Sequence, residues 1–360
     1  MNAQVAAPGI QGPVLITGGA GFIGTNVAAR LLELGHEVIV FDNMARAGVT
    51  ENLRWLSQRG GSRLRTRLAD TRDAEALADA VRRAGSIFHF AAQVAVTSSL
   101  EDPVEDFEIN LRGTLNLLEA IRHERRRIPL VYTSTNKVYG ALPDITMSAA
   151  ATRYEPDDAN VRRHGIDETR PLDFCSPYGC SKGAADQYIL DYTRSFGLPA
   201  VVLRMSCIYG PHQCGNEDQG WVAHFLLRAM QGRPITLYGD GLQVRDILYV
   251  DDLVDALLMC AEDRDDLRGR AFNMGGGPDN TISLRELLDE IATLDGRVPK
   301  VLREDWREAD QRWFVADTRR FAAATGWRQR VQAKDGIGRL FHWLANGETP
   351  ELVEAGAHAA

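Results

Sequence analysis

The sequence lacks several features, and each absence narrows what it can be. It contains no uninterrupted apolar run near the roughly 18 residues that a bilayer-spanning helix requires, so no membrane span is expected. It has no basic excess, since 41 Lys and Arg stand against 49 Asp and Glu for a net charge of −8. Binding to a phosphate backbone rests on clustered cations, so a nucleic-acid partner is not expected, although a few converging arginines could hold a small anion. The five cysteines, Cys175, Cys180, Cys207, Cys214 and Cys260, form no CxxC pair. An odd set of this kind reads as reduced thiols in a cytoplasmic compartment, not as a disulfide frame or zinc site. His212 and Cys214 are close in sequence, but two ligands do not make a metal centre, and none is expected. The start, MNAQVAAPGIQG, has neither a basic head nor an apolar block and reads as a flexible lead-in, not a secretory signal. The last ten residues, ELVEAGAHAA, carry no anchor and are expected to fray.

What is present is ordinary globular material: 360 residues, 44% hydrophobic and 25% charged, enough for a large core or two lobes. An apolar stretch, Pro13–Thr17, runs into Gly18-Gly19-Ala20-Gly21-Phe22-Ile23-Gly24 and then into the helical pattern FIGTNVAARLLELG. Strand, glycine turn and helix in that order let the backbone approach a pyrophosphate, whose charge the helix N-terminus meets. The glycine spacing is GxxGxxG, at Gly18, Gly21 and Gly24. The next strand, Glu37–Phe41, is followed by Asp42, 18 residues after Gly24, where a carboxylate can accept from both ribose hydroxyls. This spacing predicts NAD, while the nearby Arg46 keeps NADP open.

Further strands at Leu64–Leu68, Ile87–Phe90, Leu130–Thr135 and Val201–Met205 alternate with helical patterns near 73–84 and 103–125. Alternation of this kind predicts an α/β fold with a doubly wound parallel sheet. Ligands in such sheets bind beyond the carboxyl ends of the strands, which is where Asp70, Ala91, Gln93 and Thr135 fall. The segment 141–175 holds no period and reads as a long loop walling the site. A Rossmann domain over 13–205 and a smaller substrate-binding lobe over 206–346 are expected, with a segment near 244–262 returning to the first.

The chemistry centres on Ser176–Phe196, SPYGCSKGAADQYILDYTRSF, a helical stretch that places Tyr178 and Lys182 four residues apart on one face. A phenol titrates near ~10 in water and is a poor base at neutral pH unless a fixed positive charge stabilises the phenolate. Lys182 is placed to supply it. A nicotinamide site, the Thr135 hydroxyl and a Tyr/Lys pair together make a redox centre for alcohols.

TGGAGFIG, HFAAQ, TSTNKVYG, SPYGCSK and VRDILYVDD together resemble the extended short-chain dehydrogenase/reductases that remodel nucleotide sugars, over about residues 13–346. STNKVYG, CSPYGCSKGAADQYILDY, EDQGWV and ADQRWFVAD look like the CDP-paratose 2-epimerase family within them. The resemblance implies NAD held by Gly18, Gly21, Phe22, Ile23, Asp42, Asn43, Asp70, Thr71, Phe90, Ala91, Gln93, Asn110, Tyr178 and Lys182. It implies Tyr178 as general base and acid, Lys182 on the nicotinamide ribose, Thr135 on the reacting sugar oxygen, and Arg245 and Arg312 near the substrate diphosphate. It further implies a homodimer built on the helices around 103–125 and 178–196. Sugar 4,6-dehydratases follow the Thr135 position with an Asp-Glu pair, where this chain has Asn136-Lys137 and so lacks the groups for elimination. Many relatives carry asparagine where this chain has Cys207. The implied activity is inversion of C2 in a CDP-hexose; a UDP-sugar 4-epimerase and a non-catalytic NAD sensor are the competing readings.

Overall fold

Strand alternation divides the core between two faces of one sheet. Val14 and Ile16 point into one hydrophobic cluster and Leu15 into another, as do Val38 and Val40 against Ile39 and Phe41. The computed structural model describes residues 9–216, 220–262, 264–307 and 310–346. Most of the lead-in, part of the EDQGWV stretch and the final ten residues lie outside the described residues.

The sheet has seven parallel strands: β1 (Val14–Thr17), β2 (Val38–Asp42), β3 (Leu64–Leu68), β4 (Ser86–His89), β5 (Leu130–Thr135), β6 (Ala200–Met205) and β7 (Arg270–Met274). Their order is β7-β6-β5-β4-β1-β2-β3. The order reverses between β1 and β4, which opens a crevice above their carboxyl ends. One face is covered by the helices Phe22–Glu33, Val49–Gly60 and Val250–Ala261. The other is covered by Ala74–Arg83, Gly113–His123 and Ser176–Phe196. This is the doubly wound Rossmann arrangement. No helix among the described residues is long and apolar enough to cross a membrane.

Two details depart from the sequence reading. The strand that returns to the main sheet is β7, not the stretch beginning at 244; Val244–Tyr249 instead pairs with Cys207–Tyr209, Thr281–Ser283 and Trp313–Phe314 in a smaller sheet. Leu248 of that strand and the following helix, Val250–Ala261, do pack into the core of the large sheet. The segment 141–175 is also less irregular than its sequence implies. It contains an antiparallel pair, Met147–Ala149 with Tyr154–Pro156, and a helix, Ala159–His164, capped by the Asp158 carboxylate accepting from the Asn160 and Val161 amides. Elements of three to six residues are too short to establish a hydrophobic period.

Candidate active site

The glycine turn comes first in the chain and sets the floor of the crevice. Gly18 has φ of +66°, and a Cβ there would sit 2.7 Å from the Ala91 nitrogen, so β1 and the turn after β4 approach as closely as backbones can. At Gly24 a Cβ would lie 2.3 Å from the Gly18 carbonyl oxygen, which only glycine permits between turn and helix. Gly21 caps the helix that begins with Phe22 and Ile23, and no side chain satisfies its first amides. They remain available to an anion.

Asp42 ends β2, where its carboxylate accepts from the Ala20 amide at 3.0 Å and the Met44 amide at 2.9 Å. Burial raises its pKa, against those two bonds and the Arg46 charge. The Arg46 charge acts on Cys214, Tyr178 and Asp42 alike. Asn43 donates to Asp70 at 2.8 Å, and Arg72 grips the same carboxylate at 2.9 and 2.8 Å and holds it down to about 2. Thr71 turns its hydroxyl toward Gly113, where a Cβ would be 2.5 Å away. Phe90 packs against the sheet core, and the Gln93 amide donates to Asn110 at 2.9 Å. The buried Gln93 Oε1 has no partner within the described residues. An acceptor left this way is one a bound ligand can satisfy.

Asn110 occupies a π-turn, Glu108–Arg112, set between the helical stretches Pro103–Phe107 and Gly113–His123. The extra residue re-aims its side chain inward, where it donates to Asp106 at 3.1 Å and to Ser181 at 3.0 Å.

Tyr178 meets Thr135, and Lys182 follows one helical turn on. Thr135 closes β5, its hydroxyl accepting from the Lys137 amide at 3.2 Å and lying in hydrogen-bonding reach of the Tyr178 phenol. Ser176, the residue before Pro177, has φ of +73°, so the chain enters the helix Ser176–Phe196 through a backbone conformation that non-glycine residues seldom adopt. The expected depression of the Tyr178 pKa by Lys182 is not what this arrangement shows. Burial pushes the phenol up to about 12, with Thr135 and Arg46 opposing it. Burial likewise brings Lys182 down to about 7. The reason is orientation: the Lys182 ammonium donates to the Thr133 carbonyl at 2.7 Å and lies over the Tyr132 ring, 4.2 Å from its centroid.

Arg245 donates to Asp310 at 2.6 Å, and its charge reaches Lys137, beside Thr135. Arg312 immediately precedes the strand Trp313–Phe314 of the small sheet, with its guanidinium 5.4 Å from the Tyr154 ring and 5.6 Å from that of Trp306. Cys207, where many relatives carry asparagine, accepts a hydrogen bond from the Trp221 indole at 3.4 Å. Sequence reasoning did not find the Asn136 donation to Gln311 at 3.2 Å, nor Lys137 and Asp310 as parts of the site. The available signal was the DQR triplet at 310–312, quoted above only for likeness. No group of three or more potential metal ligands occurs among the described residues.

Comparison with known proteins agrees with this geometry. Residues 14–275 match the model of the NAD dependent epimerase/dehydratase family. The chain belongs to that family. Among family members, it is 43% identical over 343 residues to the CDP-paratose 2-epimerase of Salmonella typhi, covering 92% of this chain and 99% of that one. It is 31% identical to the UDP-glucose 4-epimerase of Mycolicibacterium smegmatis, covering 92% of this chain and 98% of that one. The structure of the Thermus thermophilus UDP-glucose 4-epimerase in complex with NAD superposes with a TM-score of 0.77 at 35% identity, covering 92% and 99% of the two chains.

Proposed function

We propose that the protein is an NAD-dependent epimerase that inverts C2 of a CDP-linked hexose of the paratose type through a transient keto sugar. The observation that carries this reading is the pairing of Tyr178 with Thr135 at the β5 end, with Lys182 one helical turn on, in a chain 43% identical to a CDP-paratose 2-epimerase along nearly its whole length. The glycine cradle, the uncapped helix start and the orphaned Gln93 oxygen fit a dinucleotide. Gly18, Gly21, Phe22 and Ile23 would hold its pyrophosphate, and Asp42 with Asn43 its adenosine ribose. Asp70, Thr71, Phe90, Ala91, Gln93 and Asn110 would line the way to Tyr178 and Lys182. Bound NAD supplies the acceptor and later the donor of hydride.

The remaining work falls to the chain's own side chains. Thr135 holds the sugar hydroxyl and Tyr178 removes its proton, returning it when the ring has presented its other face. Lys182 fixes the cofactor ribose beside Tyr178. Residues 206–249 and 275–346 supply a substrate lobe, from which Arg245 and Arg312 hold the diphosphate so the intermediate stays bound. With Asn136 and Lys137 in place of a carboxylate pair, elimination has no acid and base. Incubation with CDP-, UDP-, GDP- and dTDP-sugars, followed by proton NMR, should show a new C2 epimer from the CDP-hexose. Conversion of UDP-sugars at C4 alone would favour the 4-epimerase reading, which the likeness to the Thermus enzyme supports.

The working form is a homodimer in this proposal. Leu100, Val104 and Phe107, with Tyr188 and Phe196, leave large apolar side chains 41–70% exposed on the helical stretches 96–107 and 176–196. Light scattering should give twice the 39.8 kDa chain mass; a monomer mass at micromolar concentration would rule this out. All five cysteines are free thiols, which fits a cytoplasmic site of action. Cell fractionation placing the protein in the periplasm would count against that.

A further inference from the structure

Beneath the catalytic helix lies a small set of buried charges. Lys182 is faced by His89 from β4, by the Tyr132 ring from β5, by Asp106 from the stretch Pro103–Phe107, and on its own helix by Asp186. Tyr178 stands one turn before it. His89 is held neutral, pushed down to about 3 by burial, and its ring is bracketed by the Thr17 and Thr114 hydroxyls at 2.6 and 3.0 Å. Asp186 is fully buried and already matched, because Arg204 from β6 grips it through two bonds of 2.8 and 3.1 Å.

Those assignments leave one anion and one cation. Asp106 is 1% exposed, and no Lys, Arg or His nitrogen forms an ion pair with it among the described residues. Its carboxylate accepts from the Ser181 hydroxyl and from Asn110. Ser181 is the residue before Lys182, and its hydroxyl also reaches the Tyr178 carbonyl at 3.2 Å. A buried carboxylate and a buried ammonium, each without a direct ion pair, are costly unless they offset one another through space.

We propose that Asp106 is a positioning residue for the reacting pair, its carboxylate keeping the buried Lys182 side chain an ammonium while its bonds to Ser181 and Asn110 fix the helix turn between Tyr178 and Lys182. The hydrogen bonds supply the geometry. The charge supplies the function: beside Asp186, which Arg204 already grips, Asp106 is the second negative group that resists loss of the Lys182 proton away from water. Burial lowers the Lys182 pKa, and Asp186 and Asp106 are the groups that resist it. The inference rests on Tyr178 and Lys182 being the reacting pair, but not on which sugar is turned over.

The chain has only four lysines, Lys137, Lys182, Lys300 and Lys334. Protein purified with ¹³Cε-labelled lysine therefore gives four signals, and Lys182→Arg assigns the one required. In Asp106→Asn the Lys182 signal should titrate about one pH unit lower than in the parent, the shift expected from losing one buried neighbouring charge. Asp106→Glu, which keeps the charge, should stay near the parent. The alkaline limb of kcat should move to lower pH in step with the Lys182 signal in Asp106→Asn, with KM unchanged. If Asp106→Asn does not fold, Asp106→Ser removes the charge and still offers Ser181 an acceptor. An unmoved Lys182 titration with kcat reduced equally at every pH, or equal shifts in the Asn and Glu variants, would overturn the proposal. Because the NMR signal is read without turnover, failure here is separable from failure of the epimerase reading.

Discussion

Tyr178→Phe should lower kcat by about 10³-fold or more, toward the upper range for removing a general acid and base. The phenol is 8% exposed, and its hydroxyl has Thr135 within hydrogen-bonding reach. Losing that one neutral interaction should cost no more than about 1 kcal/mol of stability. Melting temperature and NAD content should therefore stay close to the parent while turnover disappears. The size of the expected loss follows from the site itself. With burial holding the free phenol up at about 12, Tyr178 is a base only when the assembled site stabilises its charge. A variant with full activity would remove Tyr178 from the mechanism.

The largest stability loss should come from a residue that touches neither sugar nor cofactor. Arg204→Met would leave the fully buried Asp186 carboxylate without its two guanidinium bonds and would also remove the donation at 3.1 Å to the Tyr139 hydroxyl, which keeps its own bond to Asn273. Breaking a buried pair from one side costs about 3–5 kcal/mol, because a charge remains in the interior. Chemical denaturation should show that loss, and adding Asp186→Leu should recover most of it by removing the stranded anion. If the single variant unfolds within about 1 kcal/mol of the parent, beyond the scatter of surface substitutions, the pair is not the structural element described here.

Six strands of the sheet and the glycine turn were legible because they are local: Gly18, Gly21 and Gly24 lie within one turn and helix start, and those strands are short apolar stretches, whereas β7, Arg270–Met274, was not read. Tyr178 and Lys182 were legible for the same reason, being one helical turn apart. The contacts that complete the site are not local. Ser181 meets Asp106 across 75 residues, Asn136 meets Gln311 across 175, and Arg245 meets Asp310 across 65. A single sequence gives no register between such segments. Lys182 shows a second limit. Its position on the helix face was evident, but its ammonium turns to the Thr133 carbonyl and the Tyr132 ring, an orientation set by β5 and not by the YxxxK spacing.

Three routes could invert a sugar carbon: hydride removal and return, proton exchange beside a carbonyl, and elimination with re-addition. The roles proposed for Tyr178, Thr135 and Lys182 serve the first. CDP-hexose carrying deuterium at C2, incubated with the enzyme in ordinary water and read by proton and deuterium NMR, separates them directly. The expected product is inverted at C2 with its deuterium retained there, and the same reaction run in heavy water should introduce none. Loss of the label to solvent at C2, or inversion at C4 with C2 untouched, would contradict epimerisation at C2 by hydride transfer.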